Sequence, residues 1–150
     1  MKTIKNDNLI QPIFDLDGTL IKELRGSKRL FDFVNPSAIL NLEESDLTPL
    51  GKLVRDSGKE FDILTARGKD SGWFIRVALE KLGFNPRKIV TVGVDVNEPS
   101  DWAKVSSKRI VEKKQRIVRF ILRKLVDNDA RNLEGLGELG ELVSEDQTKF

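Results

Sequence analysis

The order of apolar runs and polar breaks along this 150-residue chain predicts an α/β fold. The expected architecture is a Rossmann-like, mainly parallel sheet with helices on both faces. Three observations point there. Short apolar runs that read as buried strands alternate with longer segments of helical spacing. Three of those runs end in polar clusters, Asp15/Asp17, Thr65/Arg67 and Asp127/Asp129, and a parallel sheet places its ligands beyond the C-terminal ends of its strands. The length suits one domain spanning 1–150 with a sizeable core, its ends (1–8 and about 145–150) loosely held.

The elements follow in order. The first strand runs from Leu9 or Ile13 to Asp15, and Pro12, which has no N–H, interrupts the ladder or precedes it. From Ile21 to Val34 basic and apolar residues alternate around Arg25-Gly26-Ser27, which reads as a small flap beside the first strand. Thr48-Pro49 is a helix start, Thr48 at the N-cap and Pro49 in the first turn, with Gly58 as the stop. Phe61–Leu64 is a second strand ending at Thr65-Ala66-Arg67-Gly68. A second helix follows Asp70 or Ser71, with Trp73, Phe74, Val77, Ala78 and Leu82 as its apolar face and Gly83 as its end. Lys88–Val92 is a third strand, and 94–107 is irregular. A helix covers some of Ser106–Leu122 with Ile110, Ile117 and Ile121 on one side, and Leu125-Val126 leads into Asp127-Asn128-Asp129. Arg131–Leu142 reads as a last helix, weakened by Gly135, Gly137 and Gly140 at about 1 kcal/mol each relative to Ala.

Composition narrows the chemistry. Apolar residues make up 39% and charged residues 33% of the chain, a globular mixture. No run reaches the ~20 apolar residues of a membrane span and no signal peptide is visible, so a cytoplasmic location without a membrane partner is expected. There is no Cys and no His, which excludes thiolate nucleophiles, Ser–His–Asp triads and Cys/His zinc sites. Carboxylate and Mg²⁺ chemistry fits what is left. The net charge of +2 is unevenly placed. Lys104–Lys124 holds nine Lys/Arg and one acid, whereas Asp127–Phe150 holds seven acids and two bases. The basic run is either a solvated helix face or an approach surface for an anionic substrate.

The stretch Ile13-Phe14-Asp15-Leu16-Asp17-Gly18-Thr19-Leu20 organises the rest. Side chains alternate along a strand, so Asp15 and Asp17 can point the same way. Their like charges repel, and a cation removes the problem. Hard carboxylate oxygens suit Mg²⁺, which takes a substrate phosphate as a further ligand. Gly18 permits a sharp turn and Thr19 can tie its hydroxyl into it.

Phe14-Asp15-Leu16-Asp17-Gly18-Thr19-Leu20 resembles the first motif of the haloacid-dehalogenase-like (HAD) phosphatases, D-x-D-G-T after a hydrophobic strand. Ile63-Leu64-Thr65-Ala66-Arg67 resembles their second motif, a Ser or Thr at a strand end, and Asp127-Asn128-Asp129 their last acidic motif. The resemblance implies that Asp15 is a nucleophile forming an aspartyl-phosphate and that Asp17 is the acid and base. It implies that Thr65, with Ala66 and Arg67 beside it and Arg25 from the flap, meets the phosphoryl group. It also implies a Mg²⁺ site drawn from Asp15, Asp17, Asp127 and Asp129. Asp127 matches the metal ligand more closely, and the intervening Asn128 leaves Asp129 as a ligand or an orienting group. A lysine before the last motif completes the set. Lys104, Lys108, Lys113 and Lys114 compete, and Lys114 is favoured because it falls at an inward position of the Ile110–Ile117 stripe.

Neither interval between motifs has room for a large cap domain. An open site needs its substrate, or a second subunit of a homo-oligomer, to exclude water, which points to a macromolecular end. Arg67 and Arg25 resemble the phosphatase part of phage-type polynucleotide kinase-phosphatases, and the basic run would suit nucleic-acid ends. The alternatives are a small-metabolite or nucleotide phosphatase, a phosphoprotein phosphatase, and a non-catalytic HAD-like binding module.

Overall fold

A computed structural model describes residues 11–23, 35–93 and 107–146. Its centre is a five-stranded, wholly parallel sheet: β1 (Ile13–Phe14), β2 (Phe61–Gly68), β3 (Pro86–Gly93), β4 (Leu125–Asp127) and β5 (Gly140–Leu142), in the order β3-β2-β1-β4-β5. Three helices accompany it: α1 (Pro49–Asp56), α2 (Gly72–Lys81) and α3 (Ser107–Ile121). The chain builds outward from β1 through β2 to β3, then crosses to the other side of β1 for β4 and β5. That reversal opens a crevice beyond the ends of β1 and β4.

The strand alternation divides the core into two layers. Phe14, Ile63 and Val126 face one way, onto Leu50 of α1 and Ile75, Ala78 and Leu79 of α2. Ile13, Leu64 and Leu125 face the other way, onto Val118 of α3, with Ile110, Ile117 and Ile121 partly buried beside it. Successive residues of three strands thus serve opposite faces, and each face is covered by helix. Among the described residues no helix is long and apolar enough to cross a membrane.

Several local expectations hold. β1 begins right after Pro12, with the Ile13 amide donating to the Lys124 carbonyl at 2.8 Å. Thr48 caps α1: its hydroxyl oxygen accepts from the Gly51 amide at 2.9 Å and donates to the Thr19 carbonyl at 2.6 Å. That second bond ties the start of α1 to the turn after Asp17.

Others are corrected. Of the face expected for α2, Phe74, Ala78 and Leu82 pack into the core, but its most buried residues are Ile75, Ala78 and Leu79, and Trp73 is exposed. The residues expected there ran at i, i+1, i+4 and i+5, and the buried face lies one residue further round the helix. Arg131–Leu142 is not a helix. Gly135 and Gly137 adopt φ values of +78° and +57°, which no right-handed helix contains. The segment becomes two short 3₁₀ turns, Ala130–Asn132 and Gly137–Leu139, followed by β5 alongside β4. The flap beyond Glu23, with Arg25, and the stretch 94–106, with Lys104, lie outside the described residues.

The N-terminal ends of the strands are held by one buried acid. Asp62 of β2 accepts from Arg87 Nη2 at 2.6 Å, Arg87 Nε at 3.0 Å, Arg123 Nη1 at 2.5 Å and the Lys88 amide at 3.0 Å. Arg123 also donates to the carbonyls of Gln11 and Pro12. The basic run after α3 therefore contributes a staple at the pole opposite the polar strand ends, and Arg123 is no part of an approach surface.

Burial alone would raise the Asp62 pKa, but the hydrogen bonds from Arg87, Arg123 and the Lys88 amide outweigh it and bring it down to about 2. A carboxyl depressed in the folded state contributes stability above its unfolded pKa of ~3.9 and loses it as pH falls toward the folded value. Asp62→Asn should lower stability at pH 7 by about 2 kcal/mol. The gap from the unmodified protein should close between pH 4 and pH 2 in urea titrations, and a gap that ignores pH would mean the arginines are held by other groups.

Candidate active site

The turn after β1 is built to place two carboxylates. The Asp15 amide bonds the Val126 carbonyl at 2.9 Å, and the chain then folds tightly, with the Leu20 and Ile21 amides on the Leu16 carbonyl. Gly18 sits at φ +82°, and a Cβ there would stand 2.3 Å from the Asn128 side-chain amide. The glycine serves both the turn and the close approach of the loop after β4. Asn128 uses that approach. With its amide oriented to pair donors with acceptors, it donates to Asp15 Oδ2 and to the Asp17 carbonyl, each at 3.0 Å. Thr19 bridges the same two loops, its hydroxyl donating to Asp15 Oδ2 at 3.0 Å and accepting from the Asn128 amide at 3.1 Å.

Lys114 enters from α3. Its position continues the line of Ile110, Ile117, Val118 and Ile121, so the helix turns it inward, and it is 1% exposed. Nζ lies 2.7 Å from Asp15 Oδ1 and 3.1 Å from Asp127 Oδ2. Asp127, with no exposed surface, also accepts from Asn132 Nδ2 at 2.9 Å and from the Asp129 amide at 2.8 Å. Of the competing lysines among the described residues, Lys113 is half-buried and Lys108 exposed, and Lys114 is the one that meets the carboxylates. Buried ion pairs add little net stability, because desolvation offsets the Coulomb gain. Such a cluster in a crevice is what function, more than stability, selects.

The electrostatics are lopsided. Burial pushes the Asp15 carboxyl up to about 7; Lys114 pulls against this, while Asp127 and Asp17 add to it. Burial works against the Lys114 charge, but Asp15 and Asp127 together hold its pKa above the ordinary lysine value. The crevice has a volume of about 400 Å³, and five carboxylates line it, Asp15, Asp17, Glu23, Asp127 and Asp129, against Lys114 and Arg131. A wall with that excess of negative charge repels an anion unless a cation accompanies it. The donors are hard oxygens, the set that Mg²⁺ prefers. Among the described residues no three acids stand close enough together to hold a metal ion by themselves. Asp15, Asp127 and the Asp17 carbonyl are the oxygens that could hold Mg²⁺, an ion that keeps several of its waters.

The remaining expected residues fall in different places. Asp17 lines the crevice and is gripped from behind by Arg67, Nε to Oδ2 at 3.0 Å and Nη2 to Oδ1 at 2.8 Å. Ala66 lines the crevice as well. Thr65 is fully buried, and its hydroxyl oxygen accepts from the Arg67 amide at 3.2 Å, a local cap at the strand end. Asp129 is bound to Arg131, Nη2 to Oδ2 at 2.8 Å, and that hydrogen bond, ahead of the smaller effect of burial, holds its carboxyl below the usual range. Asp129 thus orients Asp127 through its amide and fixes an arginine at the crevice mouth. Asn128, Asn132 and Glu23 were not among the residues expected at the site. Asn128 was visible inside the acidic motif, whereas Asn132 and Glu23 carry no local signal.

Removing the ammonium strands two buried carboxylates. Lys114→Met should lower stability at pH 7 by about 3–5 kcal/mol, and Lys113→Ala by under ~0.5 kcal/mol, as for other partly exposed surface positions. Equal, small losses in urea titrations would mean the ammonium is not held between Asp15 and Asp127.

No family model, no curated protein and no solved structure matches this chain, so the functional reading rests on the geometry of these side chains.

Proposed function

We propose that this chain is a Mg²⁺-dependent phosphomonoester hydrolase that works through an aspartyl-phosphate on Asp15. The observation that carries the reading is the Lys114 ammonium held between Asp15 and Asp127 at the switch point of the parallel sheet. It sets a carboxyl group beside a fixed positive charge, in a crevice whose acidic wall calls for a divalent cation.

The steps follow from the residues. An Asp15 carboxylate oxygen attacks phosphorus in line with the leaving oxygen. Lys114 and the donors from Thr19 and Asn128 hold that carboxylate still, which keeps the attack geometry pre-organised. As the bond from phosphorus to the leaving oxygen breaks, Asp17 gives that oxygen its proton. Asp17, now a carboxylate, takes a proton from the water that attacks the acyl-phosphate, which frees Asp15 and inorganic phosphate and restores the starting state. Lys114 is placed to balance charge on the group in flight. Mg²⁺, held by Asp15, Asp127 and the Asp17 carbonyl, would supply charge stabilisation to the phosphoryl oxygens.

The substrate class we favour is a phosphorylated nucleic-acid end. Lys108, Arg109, Arg116 and Arg119 are exposed along α3, the helix that delivers Lys114. A cationic stripe leading to a phosphate site suits a polyanion.

Hydrolysis of p-nitrophenyl phosphate and of 3′- and 5′-phosphorylated oligonucleotides, with and without Mg²⁺, tests the activity. Asp15→Asn should abolish it, at least 10³-fold down in kcat, while retaining the fold by circular dichroism. Intact turnover in that variant, or after thorough chelation, would sink the mechanism.

Neutralising Arg116 and Arg119 should lower kcat/KM about tenfold or more on an oligonucleotide end at 50 mM salt, with the deficit fading by ~200 mM. The small aryl phosphate should be unaffected. A salt-independent oligonucleotide rate would assign the enzyme to small substrates.

A further inference from the structure

Arg67 stands behind the acid–base group and not in front of the substrate. It is 3% exposed. The crevice that holds Asp15 and Asp17 is lined by its neighbour Ala66 but not by Arg67. Arg67 borders a separate small cleft instead, with Ile21, Ile39 and Leu42. Nε and Nη2 take the two oxygens of Asp17 in parallel, at 3.0 and 2.8 Å. A two-point contact of this kind fixes the plane of a carboxylate as well as its position. The backbone at Arg67 is itself set, its amide bonded to Thr65, at the end of β2. The side chain that aims Asp17 is therefore anchored on the sheet.

We propose that Arg67 is the positioning residue of Asp17: it holds the carboxylate facing the crevice and acts on catalysis only through it. The proposal rests on the phosphatase reading. It assigns Arg67 away from the phosphoryl group, where its place after Thr65 would have put it. An arginine that grips phosphate contributes to binding, whereas one that aims Asp17 contributes to proton transfer and leaves phosphate affinity alone. Misplacing a reacting group by about 1 Å is enough to cost ~100-fold in rate.

The test is a double-mutant cycle on the full chain, with Arg67→Gln, Asp17→Asn and the pair combined. kcat and KM are measured on aryl phosphates of high and low leaving-group pKa, with inhibition by inorganic phosphate alongside. Arg67→Gln should lower kcat ~100-fold on the poor leaving group and clearly less on the good one. KM and the phosphate inhibition constant should stay within about threefold. The pair should be no worse than Asp17→Asn alone, because removing the aiming group costs nothing once its target is gone. Arg67→Lys, which keeps one contact, should recover part of the loss. Should Arg67→Gln misfold, the combined variant and Arg67→Lys still carry the comparison with Asp17→Asn. Additive losses with weakened phosphate inhibition overturn the proposal in favour of direct contact. A lowered melting temperature with unchanged leaving-group dependence overturns it in favour of a structural role. An inactive unmodified protein overturns the phosphatase reading, and this proposal with it.

Discussion

One ammonium group holds the crevice of this protein together. Lys114 is buried, and its Nζ is shared between Asp15 and Asp127, which stand at the ends of the adjacent strands β1 and β4. Without a positive charge those carboxylates would repel across a few ångströms of low-dielectric interior. With it, the loops after β1 and β4 can close on each other. Asn128 then reaches over Gly18, and Thr19 joins both loops. The helix supplies the charge because its inward stripe, otherwise Ile and Val, carries a lysine where the stripe passes the strand ends.

The two poles of the sheet solve opposite problems with similar chemistry. At the N-terminal pole one acid, Asp62, serves two arginines and a backbone amide, and its charge is fully compensated. That pole is a staple between β2, the start of β1 and the end of α3. At the C-terminal pole the acids outnumber the bases. That imbalance is a poor design for stability, and it is what the proposed uptake of a cation and then an anion would require.

Strand order explains why three motifs far apart in sequence meet. β1 is central, so its end is flanked by both β2 and β4. Asp17 can then be met by Arg67 from β2 on one side, and Asp15 by Lys114 and the Asp127 loop on the other. Neither contact is available at an edge strand.

Much of this was legible one element at a time. The Thr48-Pro49 start of α1, the strand ends at Asp15 and Asp127, and the inward place of Lys114 all follow from local rules: capping needs neighbours three residues away, and a helix stripe repeats every turn. These patterns are written in consecutive residues, so the chain alone declares them. The partners of the long charged side chains are not. Arg123 looked like one more surface cation and is a staple on Asp62. Arg67 looked like a phosphate ligand and is turned onto Asp17. Asp129 read as a metal ligand or an orienting group, and it bonds Asp127 through its amide and Arg131 through its carboxylate. β5 hid inside a glycine-rich stretch of helical spacing, because a short edge strand is made by pairing with β4 and not by its own residues. An arginine reaches several ångströms from its backbone, and what it meets depends on which strands the fold brings alongside. Local pattern therefore settles where most of the elements lie, while the buried face of α2, the edge strand β5 and the pairing of charges across the sheet are set by what the fold brings alongside in space.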